Sequence, residues 1–270
     1  MQKSTVDGED RLAVFGYGSL IWKPNFMYRR RSVGFIKGYV RRFYQGNVTH
    51  RGTREKPGRV ATIIPTDEAE SRVWGCAYEI VGQEEVKAAL EHLNEREVIN
   101  GGYDFVETDF HPIRPEPGML TKFKAWVCVH ISDTELCDST LLRGSSQADI
   151  PCDLYLGEAP LEVQASQIAS ARGTCGSNSD YVFRIASFMR NEVPIEQSST
   201  DDPYIFVLER LILNRMMRDG HYSTGGELDD SKRISNFRPL YTTKPCTLDE
   251  ALFNNDIQSK HYNHSYLIQD

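Results

Sequence analysis

What most limits the fold of this chain is the place where its hydrophobic period changes. Up to Gln83 the apolar residues come in short runs, rich in β-branched and aromatic side chains and stopped by Gly or Pro, which is the pattern of strands. Leu12-Ala13-Val14-Phe15 empties into Gly16-Tyr17-Gly18-Ser19, and further strands are expected at about 33–45, 59–64 and 72–80. From Gln83 to Arg96 the spacing becomes helical, with Val86, Ala89, Leu90 and Leu93 on one stripe. Two more strands follow, Tyr103 to Phe110 and Phe123 to Val129, the second alternating Phe123, Ala125, Val127 and Val129 with Lys124, Trp126 and Cys128. After Pro160 the chain reads as helices at Leu161 to Ala171, Ser179 to Asn191 and Asp202 to Arg218, the last capped by Asp201 or Asp202 with Pro203 in its first turn. Strands this short and numerous favour a closed or nearly closed sheet, and sheet first, helices last, is an α+β order. One domain over residues 11–218 is expected. Residues 219–270, where no apolar period is sustained, read as a loosely ordered C-terminal extension, and Asp133 to Pro151 as a surface insertion.

Composition removes several function classes. Thirty-one basic against 38 acidic residues leave a formal charge of −7, so no global positive field draws the chain to nucleic acid or an anionic membrane. Screening acts over roughly 8 Å, so local arginines still decide what a pocket sees. No stretch supplies the roughly 20 apolar residues a bilayer-spanning helix needs, and Met1 to Asp10 lack the apolar run of a secretory signal, so the cytosol is the expected location. The cysteines Cys76, Cys128, Cys137, Cys152, Cys175 and Cys246 are scattered without a CxxC pair and read as buried or incidental thiols. No histidine pairs with Cys, Asp or Glu at ligand spacing, so no metal site is expected.

Three groups of residues can carry chemistry. In Phe15-Gly16-Tyr17-Gly18-Ser19-Leu20-Ile21-Trp22 two glycines let backbone approach a ligand and leave N–H groups to face an anion, although a bare hairpin turn explains the glycines equally well. Leu93-Asn94-Glu95-Arg96-Glu97 places two carboxylates at the negative end of a helix, where ionisation is disfavoured. That segment reads either as a functional acid or as a solvated Glu–Arg patch. The cations of Arg29-Arg30-Arg31, Arg41-Arg42, His50-Arg51 and Lys56-Pro57-Gly58-Arg59 lack the aromatic stacking platform of an RNA-binding sheet; most are expected in solvent, with one or two steering carboxylates into a pocket.

Taken in order, these pieces resemble the ChaC-like gamma-glutamylcyclotransferases. The likeness is carried by Phe15 to Lys23, by Arg41-Arg42-Phe43-Tyr44-Gln45-Gly46, by His50-Arg51-Gly52 with Lys56-Pro57-Gly58-Arg59-Val60, and by Val73-Trp74-Gly75-Cys76-Ala77-Tyr78. It continues through Arg96-Glu97 ahead of Gly101-Gly102-Tyr103 and Tyr155-Leu156-Gly157-Glu158-Ala159-Pro160-Leu161, and runs from about Ala13 to Arg218. The family's compact Arg-Glu-Lys-Gly-Gly-Tyr is stretched here to Arg96-Glu97-Val98-Ile99-Asn100-Gly101-Gly102-Tyr103. The resemblance implies an α+β, gamma-glutamylcyclotransferase-like fold, a small mixed β-barrel flanked by helices, with no metal or organic cofactor. It implies that glutathione is the substrate, cut to 5-oxo-L-proline and L-cysteinylglycine. It further implies that Gly16, Tyr17, Gly18, Ser19, Leu20 and Ile21 hold the gamma-glutamyl moiety and that Glu97 is the catalytic acid/base, with Glu95 the rival carboxylate. Two other readings stay open: cyclisation of other gamma-glutamyl amino acids or amines, and a non-catalytic regulatory protein that binds gamma-glutamyl ligands. Lack of the carboxylate would mark the second, and Glu97 is present. The sequence does not define an oligomeric state; a monomer is the default.

Overall fold

Each expected strand run becomes a strand, with one division. In the computed structural model, which describes residues 4–6, 9–99, 103–114, 121–130 and 154–220, the run at 33–45 is two strands, β3 (Arg30–Lys37) and β4 (Tyr39–Asn47). They part at Gly38, whose φ of 78° lies in the left-handed region that a residue without Cβ enters freely. The insertion expected at 133–151 falls outside the described residues, as does the C-terminal extension beyond Gly220.

A barrel is built from β2 (Glu9–Gly16), β6 (Arg72–Val81), β3, β7 (Tyr103–Pro112) and β8 (Phe123–His130), each antiparallel to the next. It closes where β8 runs parallel to β2, Val14 opposite Trp126 and Phe15 opposite Val127. The sheet is therefore mixed, with five strands in the closed ring, and a short β1 (Ser4–Val6) extends it beside β2. Closure pairs the ladder groups that an open edge would leave unsatisfied. β4 and β5 (Gly58–Pro65) form a separate antiparallel ribbon.

Alternation along β2 sorts its side chains between two cores. Leu12 and Val14 pack with Val86, Ala89 and Leu93 of α1 (Gln83–Leu93), and Ile80 of β6 joins them. Phe15 faces the other way into the main core with Trp74, Ile36, Phe110 and Val127. That core continues into three helices: α2 (Leu161–Ser170), α3 (Asn178–Glu192) and α5 (Pro203–Arg218), with the short α4 (Ile195–Asp201) between the last two. Ile168, Ile185, Leu208 and Ile212 are fully buried there, each contributing about 1.5–3 kcal/mol of apolar transfer. α5 begins as its sequence foretells, with Asp202 accepting from the Ile205 N–H at 3.3 Å and Pro203 in the first turn. α4, β1 and the two-residue strands β9 (Arg172–Gly173) and β10 (Gly176–Ser177) carry too little periodicity to be anticipated.

Candidate active site

The glycine turn lies where β2 leaves the barrel. After Gly16 the chain passes through Tyr17 and Gly18 into one turn of 3₁₀ helix, Ser19–Ile21, closed by Ile21 N–H on the Gly18 carbonyl (3.0 Å) and Lys23 N–H on that of Ser19 (2.9 Å). The N–H groups at the start of such a turn have no partner within it. Both glycines are required sterically. A Cβ on Gly16 would collide with the Leu20 side chain, and one on Gly18 would stand 2.5 Å from the Tyr181 hydroxyl. Tyr78 anchors the turn from within the barrel, its hydroxyl donating to the carbonyls of Leu20 (2.7 Å) and Ile21 (3.0 Å).

The second wall comes from the end of α1. Instead of running on to Arg96, the helix ends at Leu93 and widens into a π-helical turn, Asn94–Ile99, a local geometry common where a side chain must be re-aimed. Arg96 fastens this turn to the glycine turn, donating to Ser19 Oγ (2.6 Å) and to the Lys23 carbonyl (2.9 Å). Its Nε meets Glu97 Oε1 at 2.8 Å, with 15% of the Glu97 side chain exposed. One arginine thus holds the carboxylate beside the glycines. Burial pushes the Glu97 carboxyl above its ordinary value, and the Arg96 charge opposes this without cancelling it.

Together these walls enclose a cavity of about 350 Å³, within the range of small-molecule sites. Gly16, Tyr17, Gly18, Ser19, Leu20 and Glu97 all line it, as does the exposed Glu95 at its edge. Ile21 does not: the helical turn swings its side chain into the main core. Three phenols complete the interior: Tyr17, already expected at the site, Tyr103, noted in the sequence only as part of a motif, and Tyr181, which sequence reasoning did not single out. Tyr17 donates to the Cys128 carbonyl (2.9 Å), Tyr103 to that of Ala61 (3.0 Å), and Tyr181 accepts from the Ala61 N–H (3.3 Å). Burial above all, helped by the Glu97 charge, raises all three and keeps them protonated at neutral pH.

The cations divide by location. Lys23, His50, Arg51 and Arg96 border the cavity, and burial followed by the charges of Arg96, Lys23 and Arg51 holds His50 below its usual value and neutral. Arg51 is occupied by the Ser177 carbonyl and Asp180. The others do not reach the site: Arg31 pairs with Glu192, Arg41 with Asp202, and Arg59 bonds Gln167 and the carbonyls of Phe43 and Gly157.

The family model for ChaC-like proteins matches residues 12–215. The chain belongs to the ChaC-like family. Among family relatives, the glutathione-specific gamma-glutamylcyclotransferase 1 of Danio rerio is 39% identical over 208 residues, covering 77% of this chain and 92% of that protein. The protein of the same name from Homo sapiens is 40% identical over 185 residues, covering 68% of this chain and 72% of its own. A crystal structure of the gamma-glutamylcyclotransferase specific to glutathione from yeast superposes with a TM-score of 0.60 at 24% identity, over 76% of this chain and 96% of that one. The ChaC-like barrel and its flanking helices are therefore the fold inferred from the sequence.

Proposed function

We propose that this chain is a glutathione-specific gamma-glutamylcyclotransferase in which Glu97 moves the protons. The observation that carries the reading is a largely buried glutamate, raised by that burial and held by Arg96 beside the glycine turn in one cavity. The relatives' names supply the substrate, and the chemistry of the cavity suits it.

The reaction is internal. The α-amine of the gamma-glutamyl group gives up a proton and attacks its own γ-carbonyl carbon, a C–N bond closes the five-membered lactam, and the amide bond to cysteinylglycine breaks. Because nucleophile and electrophile share one molecule, holding it in a near-attack shape makes effective molarities of about 10⁵ M or more available, and no nucleophilic Ser or Cys is required. What remains is one proton to remove from the amine and one to deliver to the departing nitrogen, which a single carboxylate between them can do in sequence. A glutamate raised by burial is a better compromise between base and acid than an ordinary one. Backbone N–H groups of Tyr17 to Leu20, at and before the start of the 3₁₀ turn, would receive the substrate carboxylate or the developing oxyanion. Lys23 at the mouth matches the carboxylate at the far end of a tripeptide.

On this reading residues 11–218 form the catalytic domain and 219–270 an extension to it. A cytosolic location agrees with Cys76, Cys128 and Cys175 being free thiols, and among the described residues no helix is long and apolar enough to cross a membrane. The test is a panel of gamma-glutamyl compounds followed by 5-oxoproline release. Glutathione is expected to be converted with kcat/KM at least about tenfold above gamma-glutamyl amino acids lacking the glycine, the worth of one good polar contact. Equal conversion of all would replace the specific reading with the broader cyclotransferase, and release from none would support the regulatory one.

A further inference from the structure

Among the described residues, two polar side chains of the cavity wall keep a buried atom without a hydrogen-bond partner, Gln45 Oε1 and His92 Nε2, and of the two residues only Gln45 is buried as a whole. It is 3% exposed, it lines the cavity, and its Oε1 is buried without a hydrogen-bond partner. Leaving a buried amide oxygen unpaired costs about 1–3 kcal/mol, so an arrangement that keeps one needs a reason outside the empty fold.

The backbone around Gln45 is shaped to put it there. The pairing of β4 with β5 shifts register between Arg42 and Gln45, a bulge of the kind that redirects a side chain beside a binding site. The bulge is braced from its far side. Gln45 forms an isolated bridge with Tyr155, and the N–H groups of Leu156 and Gly157 both donate to the Tyr44 carbonyl, at 2.8 and 3.2 Å. The following residue must be glycine for that brace to approach, because a Cβ at Gly46 would lie 2.6 Å from the Leu154 carbonyl oxygen.

We propose that the Gln45 amide binds the amino-acid head of the gamma-glutamyl group, accepting a hydrogen bond from its α-nitrogen and donating to its α-carboxylate. This deepens the cyclotransferase reading and rests on it. A primary amide presents an acceptor and two donors in one plane, matching a nitrogen donor and a carboxylate carried on one carbon. Depth distinguishes the head from the leaving peptide: Gln45 is buried, whereas Lys23 and His50, exposed at the mouth, face where the larger half of the substrate must extend. Neutrality matters as well. A carboxylate at this position would repel the one on the substrate, while the amide both tolerates it and holds the attacking nitrogen in register with the γ-carbonyl. Gln45 is thus a binding and positioning group; the proton transfers belong to Glu97.

The test uses Gln45→Met and Gln45→Leu, which keep the bulk and remove the amide, with 5-oxoproline and cysteinylglycine as probes of the two halves of the site. Without ligand both variants are expected to melt no lower than wild type, since an unpartnered polar group has been removed. The Kd of 5-oxoproline, read from the dependence of Tm on its concentration, is expected to rise about tenfold or more, and that of cysteinylglycine to stay within about twofold. An unchanged 5-oxoproline affinity overturns the proposal, as does a loss that falls on cysteinylglycine instead. A marked drop in the ligand-free Tm of both variants would show that the amide serves the fold, and overturns it too. Should wild type release no 5-oxoproline from glutathione, yet still bind 5-oxoproline through Gln45, the inference stands and the reading of the reaction falls.

Discussion

Replacing Glu97 by glutamine is expected to lower kcat on glutathione by about 10²-fold or more while leaving the melting temperature unchanged or slightly raised. The first effect follows from losing a group that both accepts and returns a proton, a contribution typically of about 10²–10⁴-fold. The second follows from the sign of the pKa shift. Burial raises the folded-state value above the unfolded one, so the ionised carboxylate is disfavoured in the folded protein. Its burden on stability is absent at pH below the unfolded value and fully present above the raised folded value, and glutamine removes it near neutrality. Arg96 loses a charged partner in the exchange but keeps Ser19 and the Lys23 carbonyl. In wild type the acid limb of kcat is expected to lie above the ordinary carboxylate range of about 4.3, because the base must be deprotonated to accept the amine's proton. Glu95→Gln, altering the exposed carboxylate at the rim, is expected to keep kcat within about threefold. Normal turnover by Glu97→Gln beside an inactive Glu95→Gln would transfer the role to Glu95.

The largest expected loss of stability is at a buried ion pair that does not line the cavity. Asp202→Ala is expected to destabilise by about 3–5 kcal/mol, the usual result of stranding a buried charge, lowering Tm by roughly 6–20 °C for a domain of this size. Arg41 Nη1 meets Asp202 Oδ2 at 2.8 Å, with 0% and 5% of the two side chains exposed. The other terminal nitrogen donates to the Trp74 carbonyl, and the Trp74 indole donates to Asp201 (2.8 Å). One aspartate therefore neutralises a fully buried guanidinium and caps α5, and alanine removes both functions. The pair need not add net stability: burial raises the Asp202 carboxyl despite Arg41, so desolvation outweighs attraction. The double variant Arg41→Met/Asp202→Leu should accordingly recover at least half of the Tm lost by Asp202→Ala, retaining the deficit of the missing cap, about 1 kcal/mol. A thermal denaturation series on the three proteins decides it. A double variant no better than the single would mean that the ionic bond itself stabilises the fold.

These residues also show what local sequence can and cannot disclose. Strands and helices were legible because each buries one face or both, and burial writes a period of two or of 3.6 into adjacent positions. Closure of the barrel was legible in the number of short strands, but the pair that closes it was not, since β8 meets β2 across more than a hundred residues and neither strand marks its neighbour. The Asp202 cap could be read from a few consecutive residues. The buried partner of that same aspartate could not: Arg41 stands in a run of cations and looks like a surface residue until its partner, 161 positions away, arrives. In the site, the glycine turn and Glu97 were identified through ordered motifs, and the structure places them around one cavity. Ile21 was assigned with its neighbours because it is contiguous with them, but one helical turn sends it into the core. The hydrogen bond from Arg96 to Ser19 ties the π turn to a residue 77 positions away, and Tyr181 reads simply as the buried face of α3 until its hydroxyl is found beside Gly18. Both are consequences of tertiary approach, which no local period encodes.

The central claim, that the γ-carbonyl is attacked by the substrate's own amine, is tested most directly by running the purified enzyme on glutathione in ¹⁸O-labelled water and analysing the products by mass. The account predicts unlabelled 5-oxoproline and cysteinylglycine in equal amounts. Free glutamate carrying the heavy oxygen would show that water is the nucleophile and would contradict it.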